Sequence, residues 1–144
     1  DDNNKKVWLK NHECKFNYRD SIFQKMDWLI IGAKIQLTPH TSDEIAATIN
    51  KNISKRMLTQ PLKAKTFGSI FKNPKNNSAG KILDDLGFRG YTYKNLQISE
   101  KHANFMVNLG NSDFQDIITL IKIIQTKVKN ETGIKLELEV QIIS

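Results

Sequence analysis

Residues 112–142 tolerate few folds. Phe114, Ile117, Ile118, Ile121, Ile124 and Val128 recur at helical spacing, and Gly133 can adopt the left-handed backbone that ends a helix. Ser112-x-x-Gln115 reads as a capping box for its start. Directly after Gly133, Ile134-Lys-Leu-Glu-Leu-Glu-Val-Gln-Ile alternates strictly, which puts its apolar residues on one face of a strand. A helix feeding straight into a strand, in a chain whose other elements are mixed rather than regularly repeated, places the fold in the α+β class.

Upstream the signals vary in strength. Residues 5–18 read as a strand pair or one irregular strand, and Ile22-Phe23 resumes a core. Residues 27–37 are rich in β-branched side chains and predict a strand that ends at Thr38-Pro39-His40. Thr41 with Glu44 forms a capping box, and Ile45, Ile49 and Ile53 give one apolar stripe down to about Arg56. Gln60-Pro61-Leu62 breaks away, so a domain boundary is expected there, with residues 1–58 before it and 59–144 after. Ser78 is a natural cap for a helix from Ala79 to Leu86 that stops at Gly87. Residues 91–99 predict extended chain, and Ala103 to Leu109 a short strand.

Composition limits the function classes. With 144 residues, 39% hydrophobic and 26% charged, the chain has the makeup of one ordinary globular domain, or a small domain plus a piece of another. The run Trp28-Leu29-Ile30-Ile31-Gly32-Ala33 is cut by Lys34, far short of a bilayer span. No charged-then-apolar leader opens the sequence, and the single Cys14 forbids an internal disulfide, so a reducing cytoplasm is the expected location. Cys and His are too few for a zinc site, and no metal is expected. G-x-G-x-x-G, Walker, H-E-x-x-H and G-x-S-x-G patterns are all absent. The net charge of +7 would suit nucleic acid, a membrane surface or a small polyanion, but the lysines are scattered rather than massed.

One stretch combines core and chemistry: Thr66-Phe67-Gly68-Ser69-Ile70-Phe71-Lys72-Asn73-Pro74. The aromatics and Ile70 can bury, leaving Ser69 and Asn73 at the core's edge with hydrogen-bonding groups aimed outward. By itself such a segment also describes an ordinary strand end and turn.

Four stretches in order carry a resemblance. They are Asn17-Tyr18-Arg19-Asp20-Ser21-Ile22-Phe23, Gly68-Ser69-Ile70-Phe71-Lys72-Asn73-Pro74, Ser99-Glu100-Lys101-His102-Ala103-Asn104-Phe105 and Glu137-Leu138-Glu139-Val140-Gln141-Ile142-Ile143. With Ser78-Ala79-Gly80-Lys81 and Gln60-Pro61-Leu62, they resemble the UDP-N-acetylenolpyruvoylglucosamine reductase (MurB) family, in its compact, type II-like form, over essentially the whole chain but only the later part of the enzyme. The resemblance implies that residues 1–58 are the end of an FAD-binding domain of the PCMH/VAO type and that 59–144 are the substrate-binding domain. It implies a flavoprotein that takes hydride from NADPH onto FAD and passes it to UDP-N-acetylglucosamine enolpyruvate, yielding UDP-N-acetylmuramate for the cell wall. The N-terminal FAD half is missing, so the chain is expected to be inactive alone; membrane and nucleic-acid partners are not expected.

The same resemblance assigns roles. Arg19 would hold the substrate's developing negative charge, Ser69 would donate the proton, and Glu139 would be the active-site carboxylate. Tyr18, Arg56, Asn73, Lys101 and His102 would contact substrate; Lys72 and Lys101 are also readable as solvated lysines, and Arg19 as a surface ion pair with Asp20 or Glu13. Gln141 departs from the arginine that relatives often carry there. The reading from another class is a small basic nucleic-acid-binding module that stacks bases on Trp8, Trp28, Tyr91 and Tyr93.

Overall fold

The computed structural model describes residues 5–143 and divides into two compact units, with the division between His40 and Thr41.

The first unit is largely irregular. A single 3-10 turn at Asn11–Cys14 and another at Ile22–Gln24 are its helical pieces among the described residues. Cys14 is its one buried residue among them, and it donates its thiol to the Lys10 carbonyl. The strands expected over 5–18 and 27–37 are not formed. Leu29, Ile30, Ile31, Ile35 and Leu37 are all exposed. A strand needs a neighbouring ladder to satisfy its backbone and cover its apolar face, and the described residues supply none here.

The second unit begins with α1 (Ser42–Thr59), started by the expected box: Glu44 N–H donates to Thr41 Oγ1, and Thr41 N–H to the Glu44 carboxylate. Ile45, Ile49 and Ile53 form the predicted stripe, yet each stays about half exposed, and no residue of α1 is buried.

A four-stranded antiparallel sheet follows in the order β1-β4-β3-β2: β1 (Thr66–Ser69), β2 (Thr92–Tyr93), β3 (Leu96–Ile98) and β4 (Phe105–Asn108). Two helices, α2 (Ala79–Asp85) and α3 (Phe114–Thr132), supply the rest of the core. Leu96, Ile98 and Met106 from the sheet meet Ile82 and Leu83 of α2 and Leu120, Ile121, Ile124 and Val128 of α3. At about 25 cal/mol per Å² of apolar surface, each such side chain contributes roughly 1.5–3 kcal/mol to holding the unit together. The expected α+β class is what forms.

Both helices end as their glycines require: Gly87 (φ +75°) follows α2 and Gly133 (φ +71°) follows α3. The start of α3 differs from expectation by one residue. Asp113, not Ser112, is the cap, and its carboxylate accepts from Asp116 N–H at 2.8 Å. A charged oxygen at the positive end of a helix outcompetes a hydroxyl. The segment after Gly133 keeps its alternation without becoming a strand. Leu136 is buried and Ile134 and Leu138 pack on the core, but the ladder reduces to the single bridge between Phe71 and Leu138. Its partner segment is too short for more, because Pro74 has no N–H to offer.

Candidate functional site

Ser69 is aimed by its glycine. Thr66 faces Val107 and Ser69 faces Phe105, so three steps along β1 match two along β4: a bulge. Gly68 makes it with φ +90°, a backbone that side chains rarely tolerate, and its N–H donates to Thr66 Oγ1 at 3.3 Å. Bulges kink a strand and re-aim the side chain beside them. Ser69 ends β1 half-buried, and Ile70 and Phe71 behind it are fully buried. Phe67, expected to bury as well, is instead 46% exposed.

The segment after Ser69 is gripped from two sides. On one, Ile70 N–H donates to the Asn104 carbonyl at 2.9 Å; Phe71 N–H donates to Asn104 Oδ1 at 3.0 Å, and Asn104 Nδ2–H donates to the Phe71 carbonyl at 2.8 Å. On the other, Glu139 N–H donates to the Ile70 carbonyl at 2.9 Å, and Lys72 N–H to the Glu137 carbonyl at 2.8 Å. The pairing brings Ser69 and Glu139 into one neighbourhood. Glu139 is half-buried there.

His102 and Asn73 attach to the same frame. His102 is half-buried, its ring edge-on to Phe105 with centroids 4.9 Å apart, and its Nδ1 accepts Asn104 N–H at 3.2 Å. It lies so near α2 that a Cβ on Gly80 would come within 2.9 Å of its Cε1. Burial, and secondarily the charge of Arg89, pushes its pKa below the usual value, which favours the neutral ring that Asn104 N–H requires. Asn73 Oδ1 accepts Ala79 N–H at 3.0 Å and ties the Asn73-Pro74 turn to the start of α2.

Arg56 and Lys101 meet a different feature, the last turn of α1. Arg56 Nε reaches Gln60 Oε1 at 3.5 Å, and Lys101 Nζ donates to the Met57 carbonyl at 2.9 Å. A lysine there satisfies a carbonyl the helix leaves open and suits its negative end. Beside it lies a concavity of about 500 Å³, its walls including Gln60, Lys63, Gln97, Ser99 and Lys101. Ser69 and Glu139 do not line it. Lys72 forms a solvent-facing ion pair with Glu137 at 3.6 Å, a geometry of small energetic weight.

Tyr18 and Arg19 belong to the first unit. Asn17 and Asp20 exchange both backbone hydrogen bonds (2.9 and 3.2 Å), which leaves Tyr18 and Arg19 at the tip of a tight turn, Arg19 with φ +52°. The guanidinium carbon stands 5.3 Å from the Tyr18 ring centroid, a cation–π contact that limits the arginine's orientations.

The residue sequence reasoning missed is Asn104. Its signal was a lone amide between Ala103 and Phe105 in a strand pattern, where a buried polar group must have partners. Among the described residues no cluster of His, Cys, Asp and Glu could hold a metal, and no helix is long and apolar enough to cross a membrane.

An antiparallel sheet with two helices against it, and a strand-end serine next to a segment paired with the one bearing Glu139, define an α+β domain. A crystal structure of the UDP-N-acetylenolpyruvylglucosamine reductase (MurB) from Thermus caldophilus superposes with a TM-score of 0.61 at 34% identity, over 74% of this chain and 37% of that one. Residues 60–143 match the family described as UDP-N-acetylenolpyruvoylglucosamine reductase, C-terminal domain, and the chain belongs to that family. Among similar relatives, the UDP-N-acetylenolpyruvoylglucosamine reductase of Caldanaerobacter subterraneus subsp. tengcongensis is 38% identical over 99% of this chain and 47% of its own length. That of Prochlorococcus marinus subsp. pastoris is 40% identical over 94% and 46%. The chain thus spans about half the length of the curated relatives it matches.

Proposed function

We propose that this chain is the substrate-side half of an NADPH-dependent flavoprotein that reduces UDP-N-acetylglucosamine enolpyruvate to UDP-N-acetylmuramate for peptidoglycan synthesis in the cytoplasm. In this reading residues 1–58 complete a flavin domain and 59–144 bind substrate. The observation that carries it is the Gly68 bulge beside Ser69, in a segment whose Ile70 carbonyl accepts Glu139 N–H, in a chain of this family.

The described residues do not themselves fit FAD. Their glycines are dispersed among bulge, caps and turns, and none builds a loop that could cradle a diphosphate. Bound elsewhere, the flavin would supply the hydride. What this chain supplies is charge and a proton. Addition of hydride to the vinyl carbon leaves negative charge on the neighbouring carbon, delocalised into the substrate carboxylate. Arg19, permanently cationic and fork-shaped, suits that carboxylate. Ser69 Oγ–H gives its proton to the carbanionic carbon; the hydroxyl is a weak acid, but the carbanion is a far stronger base than a serine alkoxide. Glu139 is assigned to hydrogen-bond the same reacting end. Asn73, His102, Tyr18, Arg56 and Lys101 are assigned to the UDP-sugar, Lys101 through the concavity beside α1.

The test joins the chain to a complete flavin-binding half. The protein should be yellow, bleach with NADPH and regain colour when the enolpyruvyl UDP-sugar is added. Ser69→Ala should still bleach but recolour orders of magnitude more slowly. A protein without flavin absorbance would sink the reading, and an unaffected recolouring step would remove Ser69 from its role.

A further inference from the structure

The backbone on both sides of Ser69 is fixed, and one residue, Asn104, makes three of the hydrogen bonds that hold the segment after it. Asn104 is 3% exposed, yet it is polar and sits among Ile70, Phe71, Ala103 and Phe105, all buried. A buried amide is costly unless it is satisfied. Here both ends are: Oδ1 takes the Phe71 N–H and Nδ2–H gives to the Phe71 carbonyl, so the side chain pairs with Phe71 as a neighbouring strand would. The Asn104 main-chain carbonyl takes the N–H of Ile70, which belongs to the Ser69–Ile70 peptide. The orientation of that peptide plane sets the backbone angle through which the Ser69 side chain is aimed. On the other side Gly68 sets the bulge. Asn104 is itself held by its own N–H, donated to His102 Nδ1.

We propose that Asn104 is the positioning residue for the Ser69 hydroxyl: it touches no substrate, and it acts by clamping Ile70 and Phe71. The proposal rests on Ser69 being the proton donor. Asparagine is required for its two-ended chemistry. Aspartate keeps the acceptor for Phe71 N–H but turns a second oxygen on the Phe71 carbonyl, and alanine leaves both groups of Phe71 without partners in a buried place. A displacement of the reacting group by about 1 Å can cost on the order of 100-fold in rate.

A double-mutant cycle between Ser69→Ala and Asn104→Ala tests this in the protein carrying its flavin half, following reoxidation of the reduced flavin by the enolpyruvyl UDP-sugar. Asn104→Asp, nearly isosteric, takes the place of Asn104→Ala if the latter fails to fold. Expected is a loss of about 10- to 100-fold from the Asn104 variant in the rate of reoxidation, with less than about threefold change in the apparent affinity for the UDP-sugar. In the Ser69→Ala background the same substitution should add almost nothing, because a misaimed hydroxyl and an absent one are equivalent. Additive losses would make Asn104 a general structural residue and overturn the proposal, as would a wild-type rate for the folded variant. If Ser69→Ala itself is harmless, the proton-donor reading fails, and the clamp fails with it as a catalytic device. Accelerated exchange of the Ile70 and Phe71 amides in the Asn104 variant would then still report the clamp as architecture.

Discussion

Glu139 N–H donates to the Ile70 carbonyl at 2.9 Å, so the carboxylate-bearing residue and the residue after Ser69 are joined through their main chains. The placement of Glu139 therefore does not depend on what its carboxylate does. Glu139→Pro removes the donor and strands a buried carbonyl, which should cost about 1–3 kcal/mol. A shift of the denaturant midpoint checks the size. Faster exchange of the Lys72 amide, bonded to Glu137 next door, checks the location; an unchanged amide would mean that the segment is held elsewhere.

Gly68 has open space around it, with nothing within 4 Å of an added Cβ, so the cost of Gly68→Ala is backbone strain alone. At φ +90° that strain is about 1–3 kcal/mol. Differential scanning calorimetry should show a lower Tm. If the bulge relaxes to escape the strain, Ser69 turns away, and the step that consumes substrate should slow while the affinity for UDP-sugar is largely kept.

The cap of α3 separates two readings of one tripeptide. Asp113→Ala should destabilise by about 1 kcal/mol, since Asp116 N–H loses its acceptor. Ser112→Ala should fall within about 0.5 kcal/mol of the parent or exceed it in stability, because Ser112 Oγ is buried with no hydrogen-bond partner in the structure. Urea titration of the two variants decides; a larger loss at 112 would restore the serine as cap.

His102 carries a pH dependence whose sign follows from its lowered pKa. The unfolded ring takes up a proton near its ordinary 6.5, whereas the folded one resists until lower pH. Its contribution to stability is therefore fully present above that value and declines as pH falls toward the folded pKa. The ring is only half-buried, so solvent screening keeps the effect modest. His102→Gln should flatten the decline in Tm between about pH 7 and pH 5.5 relative to the parent. Parallel curves would show that the ring protonates freely in the fold.

Apart from the box expected at Ser112, where Asp113 caps instead, local signals in the sequence survived where their partners were local. Thr41 with Glu44, Ser78, Gly87 and Gly133 act as expected because a cap needs only its own helix. The α3 stripe survived because its apolar face finds the sheet. The strands that failed depend on something distant. Residues 27–37 have strand chemistry and no ladder, and the stretch after Gly133 has strand alternation but only one bridge. Within the site, Ser69, Asn73 and Glu139 could be named from their motifs, whereas the bulge and the Asn104 clamp could not. A φ of +90° at Gly68 and a side chain that imitates a strand are properties of assembled backbone, and composition does not encode them.

The bridge between Phe71 and Leu138 joins positions nearly seventy residues apart. The β2–β3–β4 meander closes over short loops and can form early, but this bridge pays the loop-closure entropy of most of the unit and belongs to the late, non-local part of folding. The segments that carry Ser69 and Glu139 are consequently joined only when the domain is finished, and a partly folded chain has a core in the making without that junction.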